Sequence, residues 1–461
     1  MAHARSDALV FFGASGDLAK KQIIPALQGL VRDQGLAVPI IGVARSGWTL
    51  EQFQTHVKES LKQHGGVDPV AFPKLLGLLR CVNGDYRDSK TFAQLRKDLG
   101  PSQRALHYLA IPPSLFASVA EGLAKSGCVE NSRLVVEKPF GRDLRSAQQL
   151  SRTLHQYFSE ENIYRIDHFL GKEPVQDLLY TRFANPMFEP IWNRTHVRSI
   201  QITMAEDFGV KGRGKFYDEV GAMLDVFQNH ILQVLANLTI DPPTGEEHDA
   251  VRDRKSELLK AVCPLVPEAV VRGQFEGYLS EPGVAPDSVV ETFFAVKLHI
   301  DSWRWAGVPI YIRTGKMLPV TSTEAFVEFR RPPRETFGEV VPNTSAHMRF
   351  RLSPDPTIAL GARAKNPGER MAGRDVELEL HRSPVDDIPP YQRLLGDALR
   401  GDSELFTRQD VVEAQWRIVE PVLGNVTPVH PYKQGTWGPE AAQQLIGSDG
   451  PWMDPLPPGK R

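Results

Sequence analysis

The pattern of apolar and polar positions changes along the chain near residue 175. Before that point, short apolar runs typical of buried strands alternate with longer segments that have the apolar spacing of amphipathic helices. The strand-like runs are "ALVFFG", "AVPIIGVA", "RALHYLA" and "SRLVVE", and the helix-like segments include "AKKQIIPALQGLVRDQG", "TLEQFQTHVKESLKQHG" and "SLFASVAEGLAKSG". This alternation predicts a parallel sheet with right-handed helical crossovers.

Beyond residue 175 the apolar runs are short, alternate with polar positions and are separated by turn residues, which favours an antiparallel sheet with one covered face. The runs are "VRSIQITMAE", "TFFAVKLHI", "VPIYIRTGK", "AFVEFRR", "HMRFRLS", "TIALGARAK" and "DVELELH". Helical spacing returns in "GAMLDVFQNHILQVLANLTI" and "PPYQRLLGDALRGD", and the proline-rich end "GPWMDPLPPGKR" predicts a loosely ordered tail. We therefore expect an α/β domain over residues 1–175 and an α+β domain over residues 176–461.

The composition adds limits on partners and compartment. A chain of 461 residues exceeds what one core usually organises, and 41% hydrophobic with 24% charged residues is ordinary for a globular enzyme. A net charge of −2 gives no reason to expect nucleic acid or an acidic membrane as a partner. Cys81, Cys128 and Cys263 are dispersed, which fits a reducing compartment. With neither a membrane-length apolar run nor a signal-peptide pattern, we expect a cytoplasmic protein.

A glycine-containing turn follows the first predicted strand. In "FFGASGDLAKK", Gly13 and Gly16 permit a tight turn and a close approach of backbone N–H groups to a pyrophosphate at the start of the next helix. The context favours dinucleotide binding over an ordinary turn. After the second strand, Arg45 stands where an acidic residue would accept the ribose hydroxyls of NAD. A guanidinium there favours the 2′-phosphate of NADP, although it does not exclude NAD.

The stretch "RIDHFLGKE" combines charged groups with glycine and proline neighbours. If it is helical, His168 and Lys172 lie four positions apart on one face and can share a phosphate, while Asp167 is available to orient another imidazole. The alternative is a solvated helix face. Lys138, in "VVEKPFG", ends a predicted parallel strand and points to the crevice where such sheets bind ligands, unless it is simply a loop lysine.

His230 interrupts a helix that is otherwise rich in core residues. A histidine near neutral pKa is suited to remove a hydroxyl proton, and a carboxylate partner stabilises its cationic form. Asp225 and Asn229 stand close by in the sequence, four positions apart. A hydrogen-bonded core histidine is an equally good explanation of His230 on this pattern alone.

Taken together, these stretches resemble the glucose-6-phosphate dehydrogenase family. The matching blocks, in the family's order, are "GASGDLAKK", "ARS", "YLAIPPSLF", "EKPFGRDL", "RIDHFLGKE", "RFANPMFEPIWNR", "AEDFGVKGRG", "YDEVGAMLDVFQNH", "RTGK" and "YKQGTWGP". The resemblance implies oxidation of glucose 6-phosphate at C1 with hydride transfer to NADP, and no metal. It also implies an N-terminal NADP-binding Rossmann domain, a second domain with a large antiparallel sheet, and a homodimer or homotetramer formed through that sheet.

The resemblance also implies roles for individual residues. His230 would be the general base, with Asp167 stabilising its charged form, and His168 and Lys172 would bind the sugar phosphate. The residues implied at the sugar hydroxyls are Glu206, Asp225 and Lys316, with Lys138 bridging substrate and cofactor. Those implied at the cofactor are Gly13, Ala14, Ser15, Gly16, Asp17, Leu18, Lys20, Lys138, Arg45, Asp85 and Tyr86.

Two positions depart from the family pattern. Phe169 replaces the usual tyrosine after the histidine, and Thr321 stands where a basic residue is common. Because each change removes a hydrogen-bond donor, we expect a weaker grip on phosphate or some tolerance of other sugars. The competing hypotheses are another Rossmann oxidoreductase acting on sugars or polyols, and a cofactor-binding regulatory protein without turnover. The pair of His168 and Lys172 argues against the first, and His230 with Asp167 argues against the second.

Overall fold

The computed structural model describes residues 4–245, 248–338, 340–342, 346–368, 371–381 and 387–457, and it divides into two compact units. The first unit comprises Met1–Glu173, Pro243–Asp253 and Ile388–Glu413. The second comprises Pro174–Pro242, Arg254–Asp387 and Ala414–Arg461. The chain therefore returns to the first unit twice after leaving it. No helix within the described ranges is long and apolar enough to cross a membrane.

The first unit is built on a six-stranded parallel sheet in the order β3-β2-β1-β4-β5-β6. Its strands are β1 Ala8–Phe12, β2 Ile40–Ala44, β3 Leu79–Asn83, β4 Ala105–Leu109, β5 Arg133–Glu137 and β6 Ile163–Ile166. This order has the switch of direction beside β1 at which doubly wound sheets bind nucleotides. Both faces of β1 are buried, as a sheet covered on two sides requires.

Helices cover both faces of this sheet, as the sequence pattern predicts. They are α1 Ile24–Gln34, α2 Leu50–Gln63, α3 Ala71–Leu78, α4 Ser89–Leu99, α5 Phe116–Lys125 and α6 Leu144–His155. The boundaries of α2 follow from local chemistry. Thr49 accepts a hydrogen bond from the N–H of Gln52, and the side chain of Gln52 bonds back to the N–H of Thr49, forming a capping box.

A segment far along the chain completes the first unit. Helix α11, Pro390–Arg400, packs its apolar residues Leu394, Leu395 and Ala398 into the same core as α1. Gly29 of α1 makes this close packing possible, because a Cβ there would overlap the side chain of Gln392. A hydrogen bond of 2.8 Å from Nε2 of Gln392 to Asp33 strengthens the same contact.

The second unit is built on a nine-stranded sheet in the order β14-β13-β12-β11-β7-β10-β9-β8-β15. Its strands are β7 Val197–Ala205, β8 Val270–Phe275, β9 Phe293–Leu298, β10 Ile310–Gly315, β11 Ser322–Phe329, β12 His347–Ser353, β13 Thr357–Lys365, β14 Gly373–His381 and β15 Val429–Tyr432. Only the β7–β10 and β8–β15 pairs are parallel among these described strands. The predicted architecture, a parallel-sheet domain and one with a large antiparallel sheet, is confirmed.

The remaining helices are α7 Glu173–Ala184, α8 Gly214–Ala222, α9 Leu232–Thr239, α10 His248–Ala261, α12 Gln409–Val419 and α13 Ala441–Ile446. Between α8 and α9 the chain forms a π-helix over Met223–Ile231. The predicted helix over residues 221–240 therefore exists, but its first half is wound more widely than an α-helix.

The expectation of a loosely ordered C-terminal tail is wrong for its described part, up to residue 457. Trp452 is 5% exposed and donates a 2.9 Å hydrogen bond from its indole N–H to the carbonyl of Ala442. The fully buried Arg313 guanidinium lies 4.3 Å from the ring centre of Trp437 and 4.7 Å from that of Trp452, and it forms a 2.6 Å ion pair with Asp454. The prolines made this segment look flexible, but they alternate with side chains that anchor it to the sheet.

Removing the countercharge of Arg313 tests this anchor. We expect Asp454→Asn to lower the free energy of unfolding by about 3 kcal/mol, because a buried guanidinium then lacks its ionic partner. Glu257→Gln breaks an exposed pair with Arg254 in the same unit and should cost less than about 1 kcal/mol. Urea unfolding followed by tryptophan fluorescence measures both values. Equal values for the two variants would contradict an anchoring role for Asp454.

Candidate active site

The glycine turn of the first unit has the geometry of a nucleotide cradle. Gly13 has a φ of +82°, and a Cβ there would overlap the carbonyl oxygen of Ala110 at the end of β4. The N–H of Gly16 donates a 2.9 Å hydrogen bond to the carbonyl of Gly13, which closes the turn before the chain enters its helix. Only glycine fits position 13, so the first glycine is required by the fold of the turn itself.

The side chain of Tyr86 holds this turn in place through hydrogen bonds. Its hydroxyl accepts a 3.0 Å hydrogen bond from the N–H of Gly13 and donates one of 3.1 Å to the carbonyl of Val43 at the end of β2. Burial raises the pKa of Tyr86, so the hydroxyl keeps its proton at neutral pH. The predicted cofactor residue therefore joins the glycine turn to β2.

Arg45 lies beside this ring with its guanidinium 5.8 Å from the ring centre of Tyr86. Its nearest Asp85 oxygen is 3.9 Å away, and both side chains are more than half exposed. An exposed pair at that distance is worth little, so a ligand phosphate can readily replace Asp85 as the partner of Arg45. The structure thus brings together Arg45, Asp85 and Tyr86, three of the residues predicted to line the cofactor site.

The other residues predicted in this turn differ in their surroundings. Ala14 is buried and its N–H donates to the carbonyl of Val43, whereas Ser15 is exposed. Asp17 is exposed and pairs with Lys21 at 3.2 Å. Leu18 and Lys20 are half-buried, at the start of a π-helical segment over Ala19–Ile23 that leads into α1. Of this set, Asp17 has a local partner that accounts for its charge without a ligand.

The stretch "RIDHFLGKE" is not one helix, so the expected four-residue spacing of His168 and Lys172 on a helix face does not hold. It consists of the end of β6, a short 3-10 turn over His168–Gly171, and the first residue of α7. Asp167 is 3% exposed and caps the turn by accepting a 3.0 Å hydrogen bond from the N–H of Phe169. Glycine and a following proline favour a turn here over a helix.

His168 and Lys172 both border the ring of Phe169. The ammonium of Lys172 lies 3.6 Å from the ring centre, and the imidazole of His168 lies edge-on to it with 5.2 Å between ring centres. The cation–π contact holds Lys172 back over the turn. Phe169 therefore supports the predicted phosphate ligand Lys172 through its ring, although it lacks a hydroxyl.

Lys138 follows β5 directly, at the carboxyl end of the parallel sheet as predicted. The preceding residue, Glu137, accepts a hydrogen bond from the hydroxyl of Tyr108. Burial raises the pKa of Glu137 to about 7, an effect that tyrosine hydrogen bonds and the charge of Lys138 partly offset. The sequence prediction missed Glu137, although an acid at the end of an apolar strand was a signal for it.

In the second unit, His230 and Asp225 lie on the π-helix. A π-helix closes its hydrogen bonds over five residues, so residues five apart, such as these two, project from nearby faces. His230 is 4% exposed and Asp225 is half-buried. The amide of Asn229 donates a 2.9 Å hydrogen bond to the carbonyl of Leu224 and accepts one from the N–H of His230, so it serves the helix itself.

Glu206 and Lys316 form an ion pair at the carboxyl ends of β7 and β10. Lys316 is 5% exposed and lies over the rings of Phe208 and Tyr217, at 5.0 and 5.4 Å from their centres. Burial, and then the negative charge of Asp225, raise the pKa of Tyr217, which keeps its hydroxyl protonated. Tyr217 was not predicted, and nothing in its local sequence distinguishes it from a core tyrosine.

Thr321 uses its side chain locally. It hydrogen-bonds to the carboxylate of Asp207, and its hydroxyl accepts a 3.0 Å hydrogen bond from the N–H of Asp207. Thr321 is neutral, so this position lacks the positive charge that the family's usual basic side chain would bring. The expected effect on phosphate affinity stays a prediction.

The candidate residues of the first unit and those of the second unit suit different parts of one reaction. The first unit offers a nucleotide cradle, a basic residue for a ribose phosphate, and a histidine and a lysine suited to a phosphate. The second offers a buried imidazole with acidic residues and a lysine suited to sugar hydroxyls.

Family models match almost the whole chain. Residues 10–177 match "Glucose-6-phosphate dehydrogenase, NAD binding domain", and residues 179–453 match "Glucose-6-phosphate dehydrogenase, C-terminal domain". These descriptions agree with the resemblance that the sequence blocks carry.

Individual relatives are similar over the same length. The chain is 45% identical to glucose-6-phosphate 1-dehydrogenase 1 of Mycobacterium tuberculosis over 98% of both chains. It resembles the crystal structure of glucose-6-phosphate 1-dehydrogenase from Mycobacterium avium with a TM-score of 0.93 and 45% identity, over 98% of this chain and 99% of the other. A glucose-6-phosphate dehydrogenase in complex with glucose 6-phosphate has a TM-score of 0.90 and 34% identity, over 99% and 100% of the two chains.

Arg45 gives the most direct test of the cofactor-binding end. We expect Arg45→Ala to raise the KM for NADP about 10- to 100-fold, because charge-assisted hydrogen bonds to the 2′-phosphate are lost. The KM for NAD should change by less than about threefold, since NAD lacks that phosphate. Arg104→Ala, which removes an exposed arginine just before β4, is the matched control. A parallel loss of NAD and NADP would contradict the assignment.

Proposed function

The chain belongs to the glucose-6-phosphate dehydrogenase family, and from that premise we propose how its own residues divide the work. The enzyme oxidises glucose 6-phosphate at C1 to 6-phosphoglucono-δ-lactone and passes the hydride to NADP. The match of family models and relatives over nearly the full chain carries this conclusion. We assign cofactor binding to residues 1–175, which also supply His168 and Lys172 for the substrate, and the other substrate contacts and oligomer formation to residues 176–461.

The glycine turn fits the dinucleotide. Gly13 leaves room for a close backbone approach because any side chain there would collide with Ala110, and Arg45 offers an exposed guanidinium for the 2′-phosphate. NADP supplies the hydride acceptor when bound. We also assign Lys138 to this end of the site, because it stands where the parallel strands present ligand-binding groups.

His230 is our proposed general base. Its buried imidazole would take the proton of the C1 hydroxyl on a ring nitrogen, and the carboxylate of Asp167 would stabilise the resulting positive charge. Each residue is buried within its own unit, at most 4% exposed, and a charge in such surroundings is screened less than in water.

The sugar phosphate is assigned to His168 and Lys172. The contact with Phe169 supports this assignment because it limits the freedom of the Lys172 ammonium. We assign the sugar hydroxyls to Glu206, Asp225 and Lys316. The ion pair of Glu206 with Lys316 provides an acceptor and a donor next to each other, as a vicinal diol requires. Binding energy from the remote phosphate can then position C1 for reaction.

Replacing the proposed base tests the mechanism. We expect His230→Asn to lower kcat about 10²- to 10⁴-fold, the usual contribution of a general base, with little change in the affinity for glucose 6-phosphate. Steady-state assays give kcat, and calorimetric titration with glucose 6-phosphate gives the affinity. His196→Asn, the same substitution at an exposed histidine of the second unit, should leave both unchanged. Survival of kcat within about tenfold of the parent would refute the assignment of the base.

We further propose a homodimer or homotetramer formed through the nine-stranded sheet. Strand β14 is at the end of that sheet, and its Leu378 and Leu380 are 67% and 65% exposed on one face. Its opposite face is already engaged, because Glu377 and Glu379 bind Arg349 of β12. An edge strand with two exposed leucines on one face tends to associate with other chains, which supports burial of this face by a second copy.

A charge on this face tests the assembly. We expect Leu378→Glu to shift the mass measured by light scattering from an oligomer towards the monomer, because an apolar contact would then have to bury a carboxylate. Leu279→Glu, at another exposed leucine of the second unit, should leave the mass unchanged. A parent protein that is monomeric at micromolar concentration would overturn the proposal.

A cytoplasmic location completes the proposal. Cys81, Cys128 and Cys263 carry no disulfide, which is consistent with a reducing compartment.

A further inference from the structure

A buried hydrogen-bond network in the first unit has no role in the chemistry assigned so far. Glu137, the last residue of β5, accepts hydrogen bonds from the hydroxyls of Tyr108 and Tyr391. Tyr108 is fully buried in β4, and Tyr391 lies at the start of α11. Burial raises the pKa of both tyrosines, so both hydroxyls keep the proton that they donate to Glu137.

Tyr391 also contacts the residue assigned to the sugar phosphate. Its ring is nearly parallel to the imidazole of His168, with an interplanar angle of 11° and 6.4 Å between ring centres. His168 is thus bordered by two aromatic rings, Phe169 edge-on and Tyr391 face-on.

The backbone around Tyr391 is fixed against the same turn. Gly171 packs so closely that a Cβ would lie 2.9 Å from the carbonyl oxygen of Pro390 and 3.1 Å from the side chain of Leu394. One helical turn further on, Arg393 forms an ion pair with Glu173. The start of α11 therefore has little freedom to slide along the turn that carries His168.

We propose that Tyr391 is a positioning residue for the phosphate ligand His168, and that Glu137 and Tyr108 set its orientation. The hydroxyl of Tyr391 is tied to the strand end that carries Lys138, and its ring limits the tilt of the imidazole. The proposal rests on the assignment of His168 to the sugar phosphate. It extends that assignment to three residues, of which Tyr391 lies more than 200 positions away in the sequence.

A simple packing role makes a different prediction. If Tyr391 only filled space in the core, its loss would lower stability and would affect every substrate alike. A positioning role affects only substrates that carry the phosphate, because His168 has no contact to make with the others.

The decisive variant is Tyr391→Phe, which keeps the ring and removes the hydroxyl. We expect the KM for glucose 6-phosphate to rise about 3- to 10-fold, the usual effect of one lost hydrogen bond, with kcat and the KM for NADP unchanged. The kcat/KM for free glucose should change by less than about twofold, because glucose has no phosphate for His168 to bind. Tyr164→Phe, at a buried tyrosine in the same unit, is the control and should alter neither substrate.

Two further variants keep the test decisive. Glu137→Leu, which removes the acceptor, should reproduce the rise in KM, and combining it with Tyr391→Phe should add little, because both break the same contact. This second route also applies if Tyr391→Phe folds poorly. An unchanged KM for glucose 6-phosphate in a folded Tyr391→Phe or Glu137→Leu protein would overturn the proposal, and so would an equal loss with free glucose.

His168→Ala distinguishes a failure of the positioning role of Tyr391 from a failure of the assignment of His168 to the sugar phosphate. If His168→Ala raises the KM for glucose 6-phosphate and Tyr391→Phe does not, the positioning role is wrong and the phosphate assignment stands. If His168→Ala leaves that KM unchanged, the phosphate assignment itself fails, and the role of Tyr391 falls with it.

Discussion

Parallel pairing in register is the constraint on which the cofactor-binding end of this enzyme depends. Phe12 lies opposite both Val43 and Leu109, and Leu109 lies opposite Val136, so neighbouring strands end almost level with one another. The residues just past those ends are Gly13, Arg45, Ala110, Lys138 and, after β6, Asp167. Groups separated by up to 154 positions in the sequence therefore project from one edge of one sheet, and no single loop has to bring them together.

This constraint explains why much of the site could be predicted from the sequence. A strand that ends in glycine, and a lysine after an apolar run, are local patterns whose location in space follows from the sheet type alone. The alternating runs of the second half likewise predict β7 and β9 to β14. The pattern did not predict β8, whose middle is Arg-Gly-Gln, or β15, which is only four residues long and contains Pro431, because such short runs resemble loops.

The remaining errors come from backbone geometry that residue type does not determine. "RIDHFLGKE" has the charges of a helix face, but Gly171 and Pro174 favour a turn. The π-helix over Met223–Ile231 changes which residues share a face with His230, and its apolar spacing is close to that of an α-helix. Neither Tyr391 nor Tyr217 has a local sequence signal. The contacts of Tyr391 are with Glu137 and His168, more than two hundred positions away, and Tyr217 matters because it is buried near the charge of Asp225. Patterns of composition cannot reveal such partners.

The return of α11 to the first unit has a consequence for how this chain folds. Gln392 and Asp33 are 359 positions apart, so this contact cannot form until most of the polypeptide has left the ribosome. Until then α1 and the core beneath it lack the apolar face that Leu394 and Leu395 supply. The nucleotide-binding half, although translated first, is completed late. Its uncovered apolar surface at α1 is therefore available for chaperone binding during synthesis.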